Sequence, residues 1–279
     1  MRTDQGYEYI IFEDAAPEKA MTGQYVYFDG YVYKGDSLVF STKDVGQEPV
    51  IPITDPADLG GRPLDPVEEL VAKLGVGDSA RVIIELDTLP AFQRPVGFED
   101  VSQLFYDVKI TNIVSAEDYE AEQAARRTEM TAQRKDAMRE AEGGAEALDL
   151  VESTLLAYNE GTLGGDLQRT DSGLGYVIHS RGSGAEAAAE KTVTVNYIGM
   201  LTNGNIFDES FTRGQPFSFT LGQGEVIPGW DEGIDVLRVG DKATLFIPSE
   251  LGYGPSGAGG GEIPPNAELV FFVELVGVE

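Results

Sequence analysis

The stretch that decides the fold is residues 226–237, which read VIPGWDEGIDVL. Pro228 lies where a helix can begin, because the first helical position needs no backbone N–H. Trp230, Ile234 and Leu237 follow at i, i+4 and i+7, so they share one apolar face. The spacing predicts a short helix that buries the single tryptophan of the chain.

β-Strands are predicted on both sides of this helix. Val193, Val195 and Tyr197 alternate with polar residues, which indicates a half-buried strand. The other predicted strands cover 217–219, 242–247 and 269–275. Residues 252–261 are rich in glycine and are expected to form a surface loop. Several strands beside one short helix predict an antiparallel sheet curled over that helix, which is an α+β fold.

The first 115 residues repeat this pattern, which indicates an internal duplication. Four landmarks occur in the same order in both parts of the chain. They are the paired segments 6–11 and 173–178, 28–30 and 197–199, 74–78 and 237–241, and 104–110 and 269–275. Repeated landmarks predict two domains of one architecture. Two unrelated β-rich domains are the alternative.

Residues 116–160 separate the two copies and are rich in Ala, Glu, Arg and Gln, with no proline, which favours helix. Ser115 or Asp118 would cap its start, and Gly143-Gly144 should divide it into two pieces. The second piece has apolar residues on one face at Leu148, Val151, Leu155 and Tyr158. The charged first piece is interpreted as a solvated spacer, with a pairing helix for a dimer as the alternative.

Three segments are therefore predicted: a first domain at 1–115, a helical linker at 116–171 and a second domain at 172–279. The expected architecture is two antiparallel sheets, each curled over a short helix and joined by a helical arm.

Composition excludes several classes of function. The net charge is −28, from 48 acidic and 20 basic side chains, and such a field repels the phosphates of nucleic acids and anionic lipids. The chain has no cysteine and one histidine, His179, so no metal site is expected. No apolar run reaches the ~18 residues needed to span a bilayer, and the first residues lack the apolar core of a signal sequence.

The second domain resembles the FK506-binding (FKBP) family of peptidyl-prolyl cis–trans isomerases along its whole length. The motifs that carry the resemblance occur in order at 195–199, 204–208, 215–219, 224–230, 239–241, 253–254, 263–267 and 269–271. Each motif alone is weak, and their common order and spacing make the resemblance specific. The loop after Tyr253 departs from the best-known small members, because Ala258, Gly259 and Gly260 replace bulkier residues.

The resemblance implies a prolyl pocket with Trp230 as its floor. The residues implied as catalytic are Tyr197, Phe207, Asp208, Trp230, Tyr253 and Phe271. Those implied to bind substrate are Phe217, Val226, Ile227 and Ile263. In the family the Ile227 N–H and the Tyr253 hydroxyl would each hold a substrate carbonyl, and Asp208 would lie beside Tyr197. The reaction needs neither cofactor nor metal, since no bond is cut.

The first copy is expected to have lost this site. When it is aligned on the second copy, the replaced positions are Val67 for Trp230, Ser41 for Asp208, Val50 for Phe217 and Pro90 for Tyr253. Three wall positions keep an aromatic residue, at Phe28, Phe40 and Tyr106. A degenerate first copy and a helical arm before an active copy resemble the layout of tandem FKBP-like envelope proteins of bacteria.

The function predicted from the sequence is isomerisation of X-Pro bonds by the second domain. The expected partners are unfolded or nascent polypeptides that contain proline, with FK506-like macrolides as inhibitors and no nucleic acid. Two rivals remain, a holdase-type chaperone with secondary isomerase activity and a small-ligand binding protein without turnover. The sequence alone leaves the compartment open: the bacterial cell envelope or periplasm is expected if a signal sequence was trimmed from this chain, and the cytoplasm otherwise.

Overall fold

A computed structural model describes residues 1–46, 48–88, 94, 97–98 and 101–279. The chain divides into two compact units, Met1–Gln123 and Ala124–Glu279. Each unit contains one antiparallel sheet together with helices, so the predicted α+β class is confirmed. Among the described residues, no helix has both the length and the apolar character needed to cross a membrane.

The first unit is a sheet packed on a short helix. Its elements are β1 (Glu8–Glu13), β2 (Gln24–Lys34), β3 (Ser37–Ser41), β4 (Val50–Pro52), α1 (Pro66–Val71), β5 (Ser79–Glu85) and β6 (Gln103–Ser115). The strand order is β1-β5-β6-β2-β3, and β4 also pairs with β2. Asp65 caps α1 by accepting hydrogen bonds from the N–H groups of Val67 and Glu68. Leu70 and Val71 of α1 are fully buried in the core of this unit.

The second unit begins with helices and continues as a second sheet. Its elements are the end of α2 (Ala116–Glu140), α3 (Gly144–Asn159), β7 (Gln168–Arg169), β8 (Gly175–Ser180), β9 (Thr192–Leu201), β10 (Ile206–Glu209), β11 (Phe217–Thr220), α4 (Pro228–Asp235), β12 (Lys242–Ile247) and β13 (Leu269–Val278). The order is β10-β9-β13-β12-β8-β7, with β11 paired to β9. The predicted helix start at Pro228 is confirmed, and Trp230, Ile234 and Leu237 are buried together.

The two sheets share one topology, as a duplication predicts. From β1 to β6 and from β8 to β13 the chain visits equivalent places in the same order. The equivalent loops before β5 and β12 each bury an aspartate completely, Asp78 and Asp241. Asp78 accepts a hydrogen bond from the N–H of Gly75, and Asp241 accepts one from the N–H of Arg238. The correspondence of residues 74–78 with 237–241 is therefore confirmed.

Backbone hydrogen bonds correct the predicted alignment of β2 with β9. Thr42 and Gly30 exchange hydrogen bonds through the Thr42 N–H and hydroxyl. Ser210 makes the same two bonds with Tyr197. Gly30 of the first unit therefore corresponds to Tyr197 of the second. The prediction that Phe28 keeps the aromatic pocket wall at this position was wrong. An aromatic residue two positions before a glycine does not fix the register of a bulged strand.

Two further predicted correspondences are wrong by one residue, because the sequence pattern does not fix the register of β3. Phe40 pairs with Val32 as Asp208 pairs with Gly199, so exposed Phe40 lies at the place of Asp208 and forms no wall. Ser41 consequently lies at the place of Glu209.

Val50 pairs with Tyr27 as Ser218 pairs with Thr194, which leaves Pro49 rather than Val50 at the place of Phe217. Tyr106 keeps the position of Phe271, since Tyr106 pairs with Val82 as Phe271 pairs with Leu245, and each partner lies two residues after a buried alanine. Pro90 lies outside the described residues.

The helical segment is divided as predicted. Ser115 caps α2 by accepting the Asp118 N–H at 3.0 Å, and Gly143 interrupts the helix with a φ of 74°. Leu148, Val151 and Leu155 of α3 are buried against the face of the second sheet that α4 does not cover. From Ala124 onward the predicted linker is thus part of the second compact unit. The boundaries at 115 and 171 stay a prediction for isolated domains.

Candidate active site

Trp230 lies at the bottom of a pocket of aromatic rings. It belongs to the first turn of α4, and its side chain is 5% exposed. The rings of Tyr197 and Phe271 meet it nearly edge-on, with centroids 5.1 Å and 5.2 Å away. Edge-to-face contacts of this kind stabilise aromatic pairs. Trp230 Nε1 has no hydrogen-bond partner within the described part of the chain.

Gly199 allows two of the walls to approach each other. A Cβ atom at this position would lie 2.6 Å from Cε2 of Phe207 and 2.7 Å from Cε1 of Phe271. Both distances are far below van der Waals contact, so any side chain would displace a ring. The two rings pack edge-to-face with centroids 5.5 Å apart. The glycine of the motif at 195–199 is therefore required by packing.

These residues surround an open cavity of about 260 Å³. Its lining contains all but one of the predicted site residues, namely Tyr197, Phe207, Asp208, Phe217, Val226, Ile227, Trp230, Tyr253 and Phe271. The exception is Ile263, which is 6% exposed and packs in the core cluster that includes Trp230. Glu225 also lines the cavity and was missed by the sequence reasoning. The individual roles of these residues stay a prediction.

One side of the cavity carries a polar network. The Tyr197 hydroxyl donates to Asp208 Oδ2 at 2.5 Å. Arg213 donates to Asp208 Oδ1 at 2.8 Å and to the Tyr197 hydroxyl at 2.7 Å. Burial, and then the hydrogen bond to Asp208, raise the pKa of the Tyr197 phenol above its ordinary value. The phenol therefore stays neutral at physiological pH.

Sequence reasoning did not find Arg213, because it lies in a loop without periodicity. The one available signal was chemical, since a carboxylate beside an apolar pocket needs a compensating donor. Arg213 and Asp208 are each about half exposed, at 51% and 48%. Their pairing therefore orients the two side chains more than it stabilises the fold.

Two hydrogen-bond donors complete the pocket. The Tyr253 hydroxyl belongs to a side chain that is 40% exposed, and burial followed by the charge of Asp208 raises the pKa of this phenol. The Ile227 N–H precedes α4 and has no hydrogen-bond partner among the described residues. The pocket thus combines an apolar aromatic floor with few donors at its rim. Such a site suits an uncharged apolar ring with carbonyl groups on either side, which defines a prolyl-binding site.

Comparison with known proteins agrees with this class. Residues 184–276 match the family model described as FKBP-type peptidyl-prolyl cis-trans isomerase. The FK506-binding protein 1 of Dictyostelium discoideum is 51% identical over 104 residues, which are 37% of this chain and 96% of that protein. The chain therefore belongs to the FKBP-type peptidyl-prolyl cis-trans isomerase family.

Other matches cover part of longer proteins. The FKBP-type peptidyl-prolyl cis-trans isomerase FkpA of Aeromonas hydrophila is 49% identical over 113 residues, or 40% of this chain and 41% of that protein. The crystal structure of FkpA from Escherichia coli matches 60% of this chain and 74% of its own, at 36% identity and a TM-score of 0.40. The chain thus spans less than half the length of the Aeromonas relative.

Proposed function

We propose that the second unit catalyses cis–trans isomerisation of X-Pro bonds in unfolded or nascent polypeptides at the pocket above Trp230. The observation that carries this proposal is the set of ring edges of Tyr197, Phe217 and Phe271 around the buried indole. Together they leave an apolar space of about 260 Å³. A proline ring can lie in that space while the flanking chain remains in solvent.

The pocket lowers the rotation barrier by desolvation. Resonance gives the peptide C–N bond partial double-bond character and a barrier of about 18–20 kcal/mol. An apolar pocket disfavours the charge-separated planar form and can bind the twisted amide better than the planar one. Each ~1.4 kcal/mol of this preference speeds the step tenfold. In this mechanism Tyr253 and the Ile227 N–H hold substrate carbonyls and no proton is transferred.

A variant of the floor tests the proposal in the full chain. Isomerisation of a proline peptide is measured in a protease-coupled assay, against an uncatalysed exchange of about 10–100 s at 25 °C. The wild-type chain should accelerate exchange and Trp230→Leu should lose most of the acceleration. Phe12→Leu is the matched control, because Phe12 is an exposed aromatic residue of the first unit. No acceleration by a folded wild-type chain would refute the proposal.

We propose further that the first unit holds no prolyl site and serves as a spacing or binding module. Val67 replaces the floor and Gly30 replaces Tyr197, so two of the aromatic contacts are missing there. FK506-like macrolides are expected to occupy the pocket above Trp230. Calorimetric titration of the full chain should give one macrolide per chain, and two per chain would contradict the proposed loss of the first site.

A further inference from the structure

Helix α2 contacts the strand that carries Phe207 and Asp208. Strand β10 lies at the edge of the second sheet, where outward backbone groups need partners from elsewhere. Thr131 of α2 accepts a hydrogen bond of 3.0 Å from the Ile206 N–H. Arg134, one turn further along the helix, donates to the Ile206 carbonyl. Both backbone groups of the residue before Phe207 are thus held by α2.

Arg134 also contacts the loop that follows Tyr253. Its guanidinium lies 3.1 Å from Oε1 of Glu262. The next residue, Ile263, exchanges backbone hydrogen bonds of 3.0 Å and 3.1 Å with Ala258. This pairing closes residues 258–263 of the loop that follows Tyr253. One side chain of α2 therefore links β10 to the loop that supplies the Tyr253 hydroxyl.

Phe207 lies between α2 and the pocket and contributes to both. Its side chain lines the prolyl cavity, and it also lines a narrow cleft formed with Thr131 and Met130 of α2. Thr131 is 6% exposed, so its hydroxyl has no room to exchange this bond for one to bulk water. A shift of β10 away from α2 would carry Phe207 and Asp208 with it.

We propose that Thr131 and Arg134 are positioning residues of the isomerase site. They set the distance between the Phe207 wall and the Tyr253 loop without touching the substrate. This proposal rests on the proposed function, since it assigns an added role within the same site. It makes the helical arm a component of the active site in addition to a connection between the two sheets.

The test uses four variants of the full chain and one control. Thr131→Val removes the acceptor and keeps the shape, whereas Thr131→Ser keeps the hydroxyl. Arg134→Met removes the donor, and Arg134→Lys keeps the charge. Arg126→Met is the matched control, because Arg126 is an exposed arginine on the same helix. Steady-state isomerisation, the thermal midpoint and backbone amide NMR shifts are measured for each.

Thr131→Val and Arg134→Met should lower kcat about three- to thirtyfold, as expected for coupling through packed neighbours. KM should change less than kcat, because the Trp230 floor is untouched. Thr131→Ser and Arg134→Lys should recover part of the loss, and Arg126→Met should match the wild type. The amide signals of Phe207 and Asp208 should move in the two damaging variants and stay fixed in the control.

Turnover and amide signals of both variants equal to those of Arg126→Met would overturn the proposal. If Arg134→Met does not fold, the isosteric Thr131→Val decides by the same measurements. A wild-type chain without turnover would refute the proposed function instead, and the Phe207 and Asp208 signals would still decide whether α2 positions this wall.

Discussion

The Tyr197 hydroxyl and the Asp208 carboxylate are joined by a hydrogen bond of 2.5 Å at the rim of the pocket. Arg213 donates a hydrogen bond to each of them and so holds the Asp208 side chain beside an apolar wall. The pair resembles an acid–base couple in its geometry. The hydroxyl and the carboxylate, however, already have hydrogen-bond partners within the protein, so we assign the network an orienting role.

This arrangement predicts a flat pH–rate profile. The pKa of Tyr197 lies above its ordinary value, mainly through burial, and an ordinary tyrosine pKa is already about 10. The phenol therefore does not titrate between about pH 6 and about pH 8, and kcat/KM for a proline peptide should stay nearly constant over that range. A steep profile that disappears in Asp208→Leu would show acid–base catalysis and contradict desolvation.

Substitutions of Tyr253 and Trp230 should each impair the reaction, for different physical reasons. Tyr253→Phe removes a single hydroxyl, and a lost neutral hydrogen bond is worth about 0.5–1.5 kcal/mol, or roughly a two- to tenfold loss in kcat/KM. Trp230→Leu keeps an apolar floor but leaves a void, so KM should rise while some turnover survives. Trp230 is the only tryptophan, so its fluorescence should change when a proline peptide binds to the wild type.

If both variants change the kinetics but peptide binding leaves the Trp230 fluorescence of the wild type unchanged, the substrate binds elsewhere. Val76→Ala is a suitable control for both variants, because Val76 is exposed in a loop of the first unit.

Packing of α3 on the second sheet gives a third prediction. Leu148 is fully buried, whereas Leu156 on the same helix is 60% exposed. Leu148→Ala should destabilise the second unit by about 2–5 kcal/mol, as buried leucine truncations do, and Leu156→Ala should change the free energy of unfolding by less than about 0.5 kcal/mol. Urea unfolding followed by Trp230 fluorescence measures both. Equal effects would mean that α3 is a spacer that does not stabilise this unit.

The sequence was sufficient to predict the elements that depend on local periodicity. Pro228 and the i, i+4, i+7 spacing of Trp230, Ile234 and Leu237 place α4 correctly, because helix start and apolar face are both local properties. The glycine pair that divides α2 from α3 was found for the same reason. The predicted cavity lining followed from the family motifs, since their order and spacing fix which strands lie side by side.

Properties that depend on pairing between distant residues could not be predicted. The correspondence of Gly30 with Tyr197 is shown by the bonds of Thr42 and Ser210, which leave no periodic pattern in the sequence. Arg213 follows β10 in the chain, and it contacts Tyr197 of β9 because β10 pairs antiparallel with β9. Ile263 follows a family motif, but its side chain packs into the core beneath the loop and does not line the cavity.

The last prediction concerns the buried Asp78 of the first unit. Burial alone would raise the pKa of this carboxyl, but hydrogen bonds from Lys19, Ala16, Gly75 and Ala15 lower it from 3.8 to about 2. A carboxyl whose pKa falls on folding stabilises the folded state above the unfolded value, and this contribution is lost as the pH falls towards about 2. Asp78→Asn should therefore cost about 2 kcal/mol at neutral pH and progressively less below about pH 4.

Amide hydrogen exchange in β5 and β6 measures this free energy within the full chain. Asp44→Asn is the control, because Asp44 is an exposed aspartate of the same unit. The wild type and Asp78→Asn should converge in protection as the pH approaches about 2, where the native carboxyl takes up its proton. A constant difference between them at all pH values would mean that the charge of Asp78 does not stabilise the loop, and that the side chain acts through shape alone.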